Sequence, residues 1–534
     1  MIRRVSRREA LRELGALFAI PFIRWPERLS DPLAGTIVEY QAGRARGDWS
    51  AAQVTKEALD RSHAWNGTLH AIDLWSETAM DEARDSDARA RRGRLRGPLD
   101  GVPVFAKSIY DMNSLPTTAS NAEWARLFPE AVRSDAIEVA RMRAAGAIVL
   151  GKTVADDFAY HGNGTSSLSG QVRNPYDPTG TKTPGGSSAG SAVSVACGIA
   201  LAAVGTDDGG SNRIPAQFCG VVGMKPTFGL VPRTGVIPTW PYLDTHGPLA
   251  RHVADAALLL DAIAGPDSSD GLALVTPRTR GALAHLRDDA LRNARLGLVE
   301  AHVPRAQMSA ESLSVFDRAV ADLKSAGAIV EAYEAPVTRA NVRQLFAEAA
   351  KARGDVAINH NSPAATANAL LRYFGTHAGD NASHDVERGL AAYRGFYDVL
   401  PKEWKEMAKL MMEPYESDPA SISFARSRAA VTARLAHEFR AQRIDAMIYP
   451  TMPFPAPRAV DPWQDIRTTL GYGNWLGLPE VSVPTGLGSD GMPAGNISFV
   501  GLPGSDARLL ALAHSYERRS RRFVAPPPPA ELPR

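Results

Sequence analysis

The sequence predicts an α/β fold, in which helices cover the faces of a β-sheet. One observation behind this prediction is a helix that runs through a glycine into an apolar strand, at Met142–Val149 and again at Leu323–Val330. A second is the segment Ser191–Ala203, whose Ala, Val, Ser and Gly residues predict a helix buried on all sides. Two helix–strand units are typical of a layered α/β domain and are too few for a repeat array.

The composition is that of an ordinary globular protein. Of 534 residues, 44% are hydrophobic, and 60 Lys and Arg against 58 Asp and Glu leave a net charge of +2. No basic block indicates nucleic-acid binding, and two cysteines, Cys197 and Cys219, are too few for a disulfide scaffold or a multi-cysteine metal site. No apolar stretch approaches the ~20 residues of a membrane span. We therefore expect a small-molecule enzyme, without a nucleic-acid partner or a membrane span.

The N-terminal leader, residues 1–30, is open to two interpretations. Ser6–Arg12 resembles a twin-arginine export signal and precedes the short apolar stretch Leu14–Ile23. Pro21 interrupts that stretch and no clean small-x-small cleavage site follows, which favours a basic amphipathic helix packed on the body. The first interpretation predicts a periplasmic protein and the second a cytoplasmic one.

The first half of the chain is predicted to alternate helices and strands. Helices are predicted at Ala51–Asn66 and Glu77–Arg94, followed by a buried strand at Gly101–Ala106. A further helix, Ala136–Ala145, runs into the strand Ala147–Leu150.

The loop Gly162–Gly190 leads directly into the buried helix that begins at Ser191. A long loop that ends at a buried helix is where a functional site is expected. The C-terminal tail, residues 523–534, is proline-rich and is predicted to be extended and frayed.

Two sequence patterns match known functional motifs, but the residues before or within them do not fit the structures that these motifs require. Gly146–Thr153 satisfies the P-loop pattern, but its middle residues favour a buried strand, and a helix rather than a strand precedes it. Gly186–Gly190 satisfies the G-x-S-x-G pattern of a nucleophile elbow at Ser188, yet the turn-rich Thr179–Pro184 stands where a strand is required. We therefore expect neither a nucleotide site nor a nucleophile at Ser188.

A third pattern, Gly205–Pro215, is a glycine-rich turn that presents one serine, Ser211, after an apolar run. Small residues in succession allow backbone N–H groups to point into one space, which suits an oxyanion. On this pattern alone, a structural turn and a catalytic turn both stay open.

A series of motifs in order resembles the amidase signature family, most densely between Pro98 and Asp267. A Gly- and Ser-rich motif around Ser187 is followed by a Gly-Gly-Ser motif that ends at Ser211. The predicted strand before Lys107 resembles the family's lysine-bearing strand. Other matching phrases are Thr117–Ser120, Gly151–Thr153, Arg173–Asp177, Phe218–Thr227, Asp244–Arg251 and Leu476–Pro484. The resemblance implies one large α/β domain over residues 31–522, with a mixed central sheet of about eleven strands covered by helices on both faces.

The resemblance also implies a Ser–Ser–Lys catalytic triad. Ser211 is then the nucleophile, Ser187 the bridging serine after a cis peptide bond from Gly186, and Lys107 the base. The implied oxyanion donors are the backbone N–H groups of Asp208, Gly209, Gly210 and Ser211. The family chemistry requires neither a metal nor an organic cofactor.

These residue types suit that chemistry. A serine hydroxyl is a poor nucleophile until a base takes its proton, and a lysine serves as base only where desolvation lowers its pKa. Lys107 follows an apolar strand, so we expect its side chain to be buried. Ser187 relays protons between Lys107 and Ser211, first for the attack and then toward the leaving amine.

Three positions depart from the family pattern without removing a triad member. Ala189 replaces a common glycine, Asn212 replaces Ile or Val after the nucleophile, and Ser108 replaces a common Asp after Lys107. We expect Asn212 and Ser108 to change the polarity of the pocket or the pKa of Lys107.

The predicted function is hydrolysis of the C–N bond of a carboxylic amide, or of a related carbamate or ester, by a monomer or homodimer. The sequence as a whole is most similar to bacterial members of the peptide-amidase type. The alternative is the A component of a glutamine-dependent amidotransferase, which requires a second protein as its partner. A third interpretation is a binding protein that kept the triad.

Substrate selectivity is expected outside the motifs, in the spans Asn341–Pro419 and Met452–Trp475. Aromatic candidates for an acyl pocket are Tyr373, Phe374, Tyr393, Trp463, Tyr472 and Trp475. For most of them, packing in the core is the preferred expectation.

Overall fold

The structure is a computed structural model that describes residues 29–177, 179–274, 281–358, 369, 373, 419–461 and 470–529. Most of the leader and most of the span Asn341–Pro419 lie outside these ranges. None of the helices within them combines the length and the apolar character that crossing a bilayer demands.

Eleven of the strands in the described ranges form one central sheet. The strands are β1 Ile72–Trp75, β2 Pro103–Lys107, β3 Ile148–Thr153, β4 Thr165–Ser166, β5 Gly170–Gln171, β6 Ala202–Asp207, β7 Val222–Lys225, β8 Thr245–Ala250, β9 Arg295–Leu298, β10 Ile329–Ala332, β11 Ala446–Pro450, β12 Glu480–Leu487 and β13 Pro493–Val500. Their order across the sheet is β1-β3-β2-β6-β8-β7-β12-β13-β11-β9-β10, with β4 and β5 forming a separate hairpin. Neighbours β3, β2 and β6 are parallel, as are β11, β9 and β10, and the remaining pairs are antiparallel. The predicted mixed α/β sheet is confirmed.

Thirteen α-helices accompany this sheet in the described ranges. They are α1 Ile37–Arg46, α2 Ala51–Leu69, α3 Ala79–Arg91, α4 Ala122–Leu127, α5 Ile137–Ala144, α6 Ala189–Ala196, α7 Arg213–Phe218, α8 Val253–Ile263, α9 Ala310–Ser325, α10 Val342–Arg353, α11 Pro419–Ala441, α12 Leu470–Leu476 and α13 Asp506–Ser520. The helices and strands predicted in the first half are observed with ends shifted by a few residues. Gly146–Thr153 contributes strand β3, so the P-loop pattern is a buried strand as predicted.

Local side chains explain where the first helices begin. Thr36 and Ser50 precede α1 and α2, and each hydroxyl accepts the N–H group three residues ahead at 3.1 Å. The side chains of Glu39 and Gln53 reach back to the N–H groups of Thr36 and Ser50, which completes two capping boxes. Two otherwise unpaired N–H groups are thereby satisfied at each helix start.

The helix predicted over Ser191–Ala203 is wrong in its second half. Helix α6 ends at Ala196, Gly198 takes a left-handed φ of +65°, and the chain re-enters the sheet as β6 from Ala202. Ala, Val and Gly residues suit a buried strand as well as a buried helix, so periodicity could not separate the two. Strand β6 leads to the glycine-rich turn that contains Ser211.

The structure describes the tail as far as residue 529, and the first residues of the tail contact the body. The Tyr176 hydroxyl donates to the Val524 carbonyl oxygen at 2.5 Å. The ring of Phe523 packs edge-on against His252, with centroids 5.7 Å apart.

Candidate active site

The site lies where the parallel strands β2 and β6 end. Lys107 is the last residue of β2 and Asp207 the last of β6. The carboxyl ends of parallel strands meet at the same edge of a sheet, which is where α/β folds place their sites. Ser187 and Ser188 precede α6, and Ser211 lies in the turn between β6 and α7, so the three predicted triad residues come together at this edge.

Lys107 is fully buried and holds Ser187 directly. Its Nζ donates to the Ser187 Oγ at 2.7 Å and to the Thr206 Oγ1 at 2.8 Å. Thr206 was not predicted, because no local pattern marks it. Only the parallel pairing of β2 with β6 brings its hydroxyl beside the lysine.

The surroundings of Lys107 bring the pKa of its amine down toward neutral pH. Burial lowers the pKa of Lys107 from 10.5 to about 8, and the nearby carboxylates of Asp208, Asp244 and Asp156 act in the opposite direction. Burial disfavours the charged form of an amine, which is the condition under which a lysine can accept a proton.

The Ser187 backbone is held by a tight loop. The peptide bond between Gly186 and Ser187 is cis, as the resemblance implied. The Asp156 N–H group donates to the Ser187 carbonyl oxygen at 3.3 Å. A Cβ on Gly186 would lie 2.4 Å from the Asp156 Oδ1, so only glycine fits there.

Ser211 lines a cavity of about 170 Å³. Asp208, Gly209, Leu243 and Trp475 are among the other residues of its wall. Within the described residues, the Ser187 and Ser211 hydroxyls form no hydrogen bond with each other. Catalytic hydrogen bonds often tighten only when substrate binds.

Three of the four predicted oxyanion donors have no acceptor among the described residues. The Gly210 N–H group is engaged, because it donates to the Asp207 Oδ1 at 2.8 Å. The N–H groups of Asp208, Gly209 and Ser211 are without an acceptor in this state. Among the described residues, these three are therefore the predicted donors that no acceptor occupies.

A buried ion-pair network that the sequence did not predict fixes the turn. Both Asp207 oxygens accept from the Arg213 guanidinium, at 2.7 and 2.9 Å. Arg213 also donates to the Glu480 Oε2 at 2.6 Å, which ties the turn to β12. Burial raises the pKa of Asp207, but Arg213 outweighs it and lowers the value to about 2. Asp207 is therefore a structural carboxylate.

Ser188, the elbow candidate, is part of the core. Its side chain is fully buried, accepts the Thr206 N–H group at 3.3 Å and donates to the Asn212 Oδ1 at 3.0 Å. Asn212 in turn donates to the carbonyl oxygens of Met224 and Gly247. Neither Ser188 nor Asn212 lines the cavity. Asn212 therefore lies beside Ser188 in the core, and its effect on the polarity of the pocket or on the pKa of Lys107 stays a prediction.

Ser108, the third departure from the family pattern, is also buried and does not line the cavity. Its Oγ is 2.6 Å from the Ser120 Oγ, and Ser120 donates to the Asp73 carboxylate at 2.6 Å. These contacts assign Ser108 to a polar cluster within the fold.

Of the three aromatic candidates that the structure describes, one lines the cavity and two are packed in the core, which was the preferred expectation for most of them. Trp475 lines the cavity, whereas Tyr472 packs against His302 with centroids 4.4 Å apart, and Tyr373 donates to the Asp111 Oδ1 at 2.7 Å. Phe374, Tyr393 and Trp463 lie outside the described residues. Unpredicted aromatic rings come from Tyr160 and Trp240. Across the described ranges, no three His, Cys, Asp or Glu side chains are grouped to hold a metal ion.

Comparison with known proteins gives a consistent result. Residues 53–510 match the sequence model of the Amidase family. The A component of the glutamyl-tRNA(Gln) amidotransferase of Symbiobacterium thermophilum is 33% identical over 500 residues, covering 90% of this chain and 96% of the relative. The corresponding protein of Anaeromyxobacter sp. is 35% identical over 526 residues, covering 92% and 97%.

Solved structures are similar over nearly the whole chain. The native peptide amidase of Stenotrophomonas maltophilia superposes with a TM-score of 0.76 at 32% identity, covering 94% of this chain and 99% of that one. An amidase family protein from Bacillus anthracis superposes with a TM-score of 0.73 at 25% identity, covering 98% and 99%.

Proposed function

This chain belongs to the Amidase family, whose members hydrolyse amide C–N bonds, and on that premise we propose that it cleaves a small carboxylic amide through an acyl-enzyme on Ser211. The observation that carries the proposal is the buried amine of Lys107, 2.7 Å from the Ser187 hydroxyl, at the same edge of the sheet as Ser211, which lines the cavity. A desolvated base next to a chain of hydroxyls is what a serine nucleophile needs in the absence of a histidine.

Acylation begins with the free amine of Lys107. The amine accepts the proton of the Ser187 hydroxyl, Ser187 accepts that of Ser211, and the Ser211 oxygen attacks the amide carbon. The negative charge on the carbonyl oxygen is met by the backbone N–H groups of Asp208, Gly209 and Ser211. Donors fixed before the reaction stabilise this charge without reorganising.

The proton then returns along the same groups, toward the leaving amine. The Lys107 ammonium returns its proton through Ser187 to the amide nitrogen, the C–N bond breaks, and ammonia or an amine leaves. Water attacks the resulting ester with Lys107 again as base, which releases the acid and restores Ser211.

We propose a single domain over residues 31–522, slightly longer than the family match of 53–510. The contacts of α1 support the N-terminal limit, because Tyr40 donates to the Gly101 carbonyl oxygen at 2.6 Å and Asp255 accepts the Ile37 N–H group at 2.9 Å. The proposed active unit is a monomer or homodimer.

A second candidate function is that of the A component of a glutamine-dependent amidotransferase. Relatives that carry this name, at 33% and 35% identity, support it. The twin-arginine-like leader argues against it, since such a component works with a cytoplasmic partner. Glutaminase activity together with co-purification of a second protein would establish this alternative.

The proposed function is tested by ammonia release from propionamide, benzamide, L-leucinamide and L-glutamine. We expect release from at least one of these amides and a loss of roughly 10³-fold or more in Ser211→Ala. Ser188→Ala is the matched control, since it removes a neighbouring buried hydroxyl that does not line the cavity, and it should keep most of the activity. Equal losses in both variants would contradict the assignment of Ser211.

A further inference from the structure

Lys107 has two hydroxyl partners, and the proposed proton path uses only one of them. Its Nζ donates to the Ser187 Oγ at 2.7 Å and to the Thr206 Oγ1 at 2.8 Å. Ser187 carries the proton between Lys107 and Ser211 in the proposed reaction. Thr206 is fully buried and does not line the active-site cavity. Thr206 therefore contacts the base but lies outside the wall that a substrate meets, so its part in the reaction passes through Lys107.

The backbone on both sides of Thr206 is held in place. Thr206 lies in β6, which is paired with β2 on one side and with β8 on the other. The Tyr110 hydroxyl donates to the Gly205 carbonyl oxygen at 3.0 Å, and the Asn474 Nδ2 donates to the Asp207 carbonyl oxygen at 2.6 Å. Because the backbone is fixed before and after residue 206, its hydroxyl is a fixed point for the amine that it contacts.

We propose that Thr206 is a positioning residue for the base: its hydroxyl holds the Lys107 amine beside Ser187 and stabilises the ammonium that forms there, an inference that rests on the proposed function. A free amine has two N–H groups and one lone pair. With one N–H bound to Thr206, fewer orientations remain in which the lone pair points away from Ser187. When the amine accepts the Ser187 proton, its bond to Thr206 becomes charge-assisted and therefore stronger.

A hydroxyl suits this position better than a carboxylate. Four carboxylates act on the charge of Lys107 from a distance, and within the described ranges none of them forms a hydrogen bond or an ion pair with its amine. They belong to Asp208, Asp244, Asp156 and Asp207. A carboxylate in contact would keep the lysine protonated. A neutral hydroxyl stabilises the ammonium and still allows it to lose its proton.

The pH dependence of fluorophosphonate labelling at Ser211 tests this role without requiring a choice of amide. In the wild-type enzyme the labelling rate should rise with pH and level off near the Lys107 pKa of about 8. Thr206→Val keeps the shape of the side chain and removes the hydroxyl. Since the lost hydrogen bond favours the ammonium, the rate should level off about one pH unit lower. The limiting rate should fall roughly 10- to 100-fold, because the amine is no longer held in place.

Three further variants separate the hydroxyl from the fold. Thr206→Ser keeps the hydroxyl and should retain the wild-type profile, whereas Thr206→Ala lacks it and should shift the profile as Thr206→Val does. Thr153→Val is the matched control, because Thr153 is a fully buried threonine of β3, on the other side of β2. Its Oγ1 lies 2.7 Å from the Ser191 Oγ, and within the described residues it is not a hydrogen-bond partner of Lys107. The profile of Thr153→Val should be that of the wild-type enzyme.

The outcomes separate failure of this inference from failure of the proposed function. A slower Thr206→Val enzyme whose profile does not move, or equal shifts in Thr206→Ser or in Thr153→Val, would overturn the role of Thr206 alone. The expected profiles without cleavage of propionamide, benzamide, L-leucinamide or L-glutamine would count against amide hydrolysis and would support the role of Thr206 beside Lys107. A wild-type enzyme that is not labelled at Ser211 overturns both.

Discussion

At the scale of single residues, burial alone does not identify the base. Lys107 and Lys152 are both fully buried, and burial lowers their pKa values to about 8 and about 7. Lys152 donates to the Pro116 carbonyl oxygen at 2.7 Å and to the Thr117 Oγ1 at 2.8 Å, away from the cavity. The contact with Ser187, and not the perturbed pKa, therefore assigns the role to Lys107.

This assignment predicts the pH dependence of kcat/KM. Because the free amine is the active form, the rate should rise with pH and level off near the Lys107 pKa of about 8. A lysine with an ordinary pKa would let the rate rise until roughly pH 10.4. The measurement is the pH profile of amide hydrolysis under conditions of low substrate concentration.

Lys152→Met is the control for that profile. It removes a second fully buried amine and leaves the Pro116 and Thr117 oxygens without that donor, which should cost about 1–3 kcal/mol of folding stability. The pH at which the rate levels off should not move. A shift in Lys152→Met would mean that the profile does not report on Lys107.

At the scale of elements, the turn between β6 and α7 is the critical segment. Its two glycines have different roles. Gly210 has a φ of +123°, and a Cβ there would lie 2.5 Å from the Leu470 Cδ1, whereas a Cβ on Gly209 would meet nothing within 4 Å. Only Gly210 is therefore required by the backbone.

The two glycines form a matched pair of substitutions. Gly210→Ala should lower the free energy of unfolding by about 1–3 kcal/mol, because it forces a side chain into a strained conformation, and should displace Ser211 with a loss of activity. Gly209→Ala should leave the thermal midpoint nearly unchanged. Equal midpoints for the two variants, measured by thermal unfolding, would contradict this description of the turn.

Some helices, strands and contacts could be predicted from the sequence, and others could not. Helix–glycine–strand motifs predicted β3 and β10 correctly, since an apolar stretch that follows a helix and a glycine is a local signal. The end of α6 at Ala196 was missed, because small apolar residues are compatible with both structures. The ion pairs of Arg213 with Asp207 and Glu480 were also missed, since Glu480 lies far along the chain and no local pattern connects it to the turn.

At the scale of the whole molecule, the sheet assembles the site from three distant segments. Lys107, Ser187 and Ser211 meet because β2 and β6 are parallel neighbours and α6 packs against both. No periodicity in the sequence specifies this order of strands. The resemblance of the ordered motifs to a known family predicted the eleven-stranded sheet, and the roles of the three residues remain its testable consequence.

The most direct test of these roles is labelling of the purified protein with a fluorophosphonate, followed by mapping of the modified residue by peptide mass spectrometry. The proposed mechanism predicts an adduct on Ser211 that is lost in Lys107→Ala, because an unactivated serine does not attack the phosphorus. An adduct on Ser188, or one on Ser211 that forms equally fast without Lys107, would contradict it.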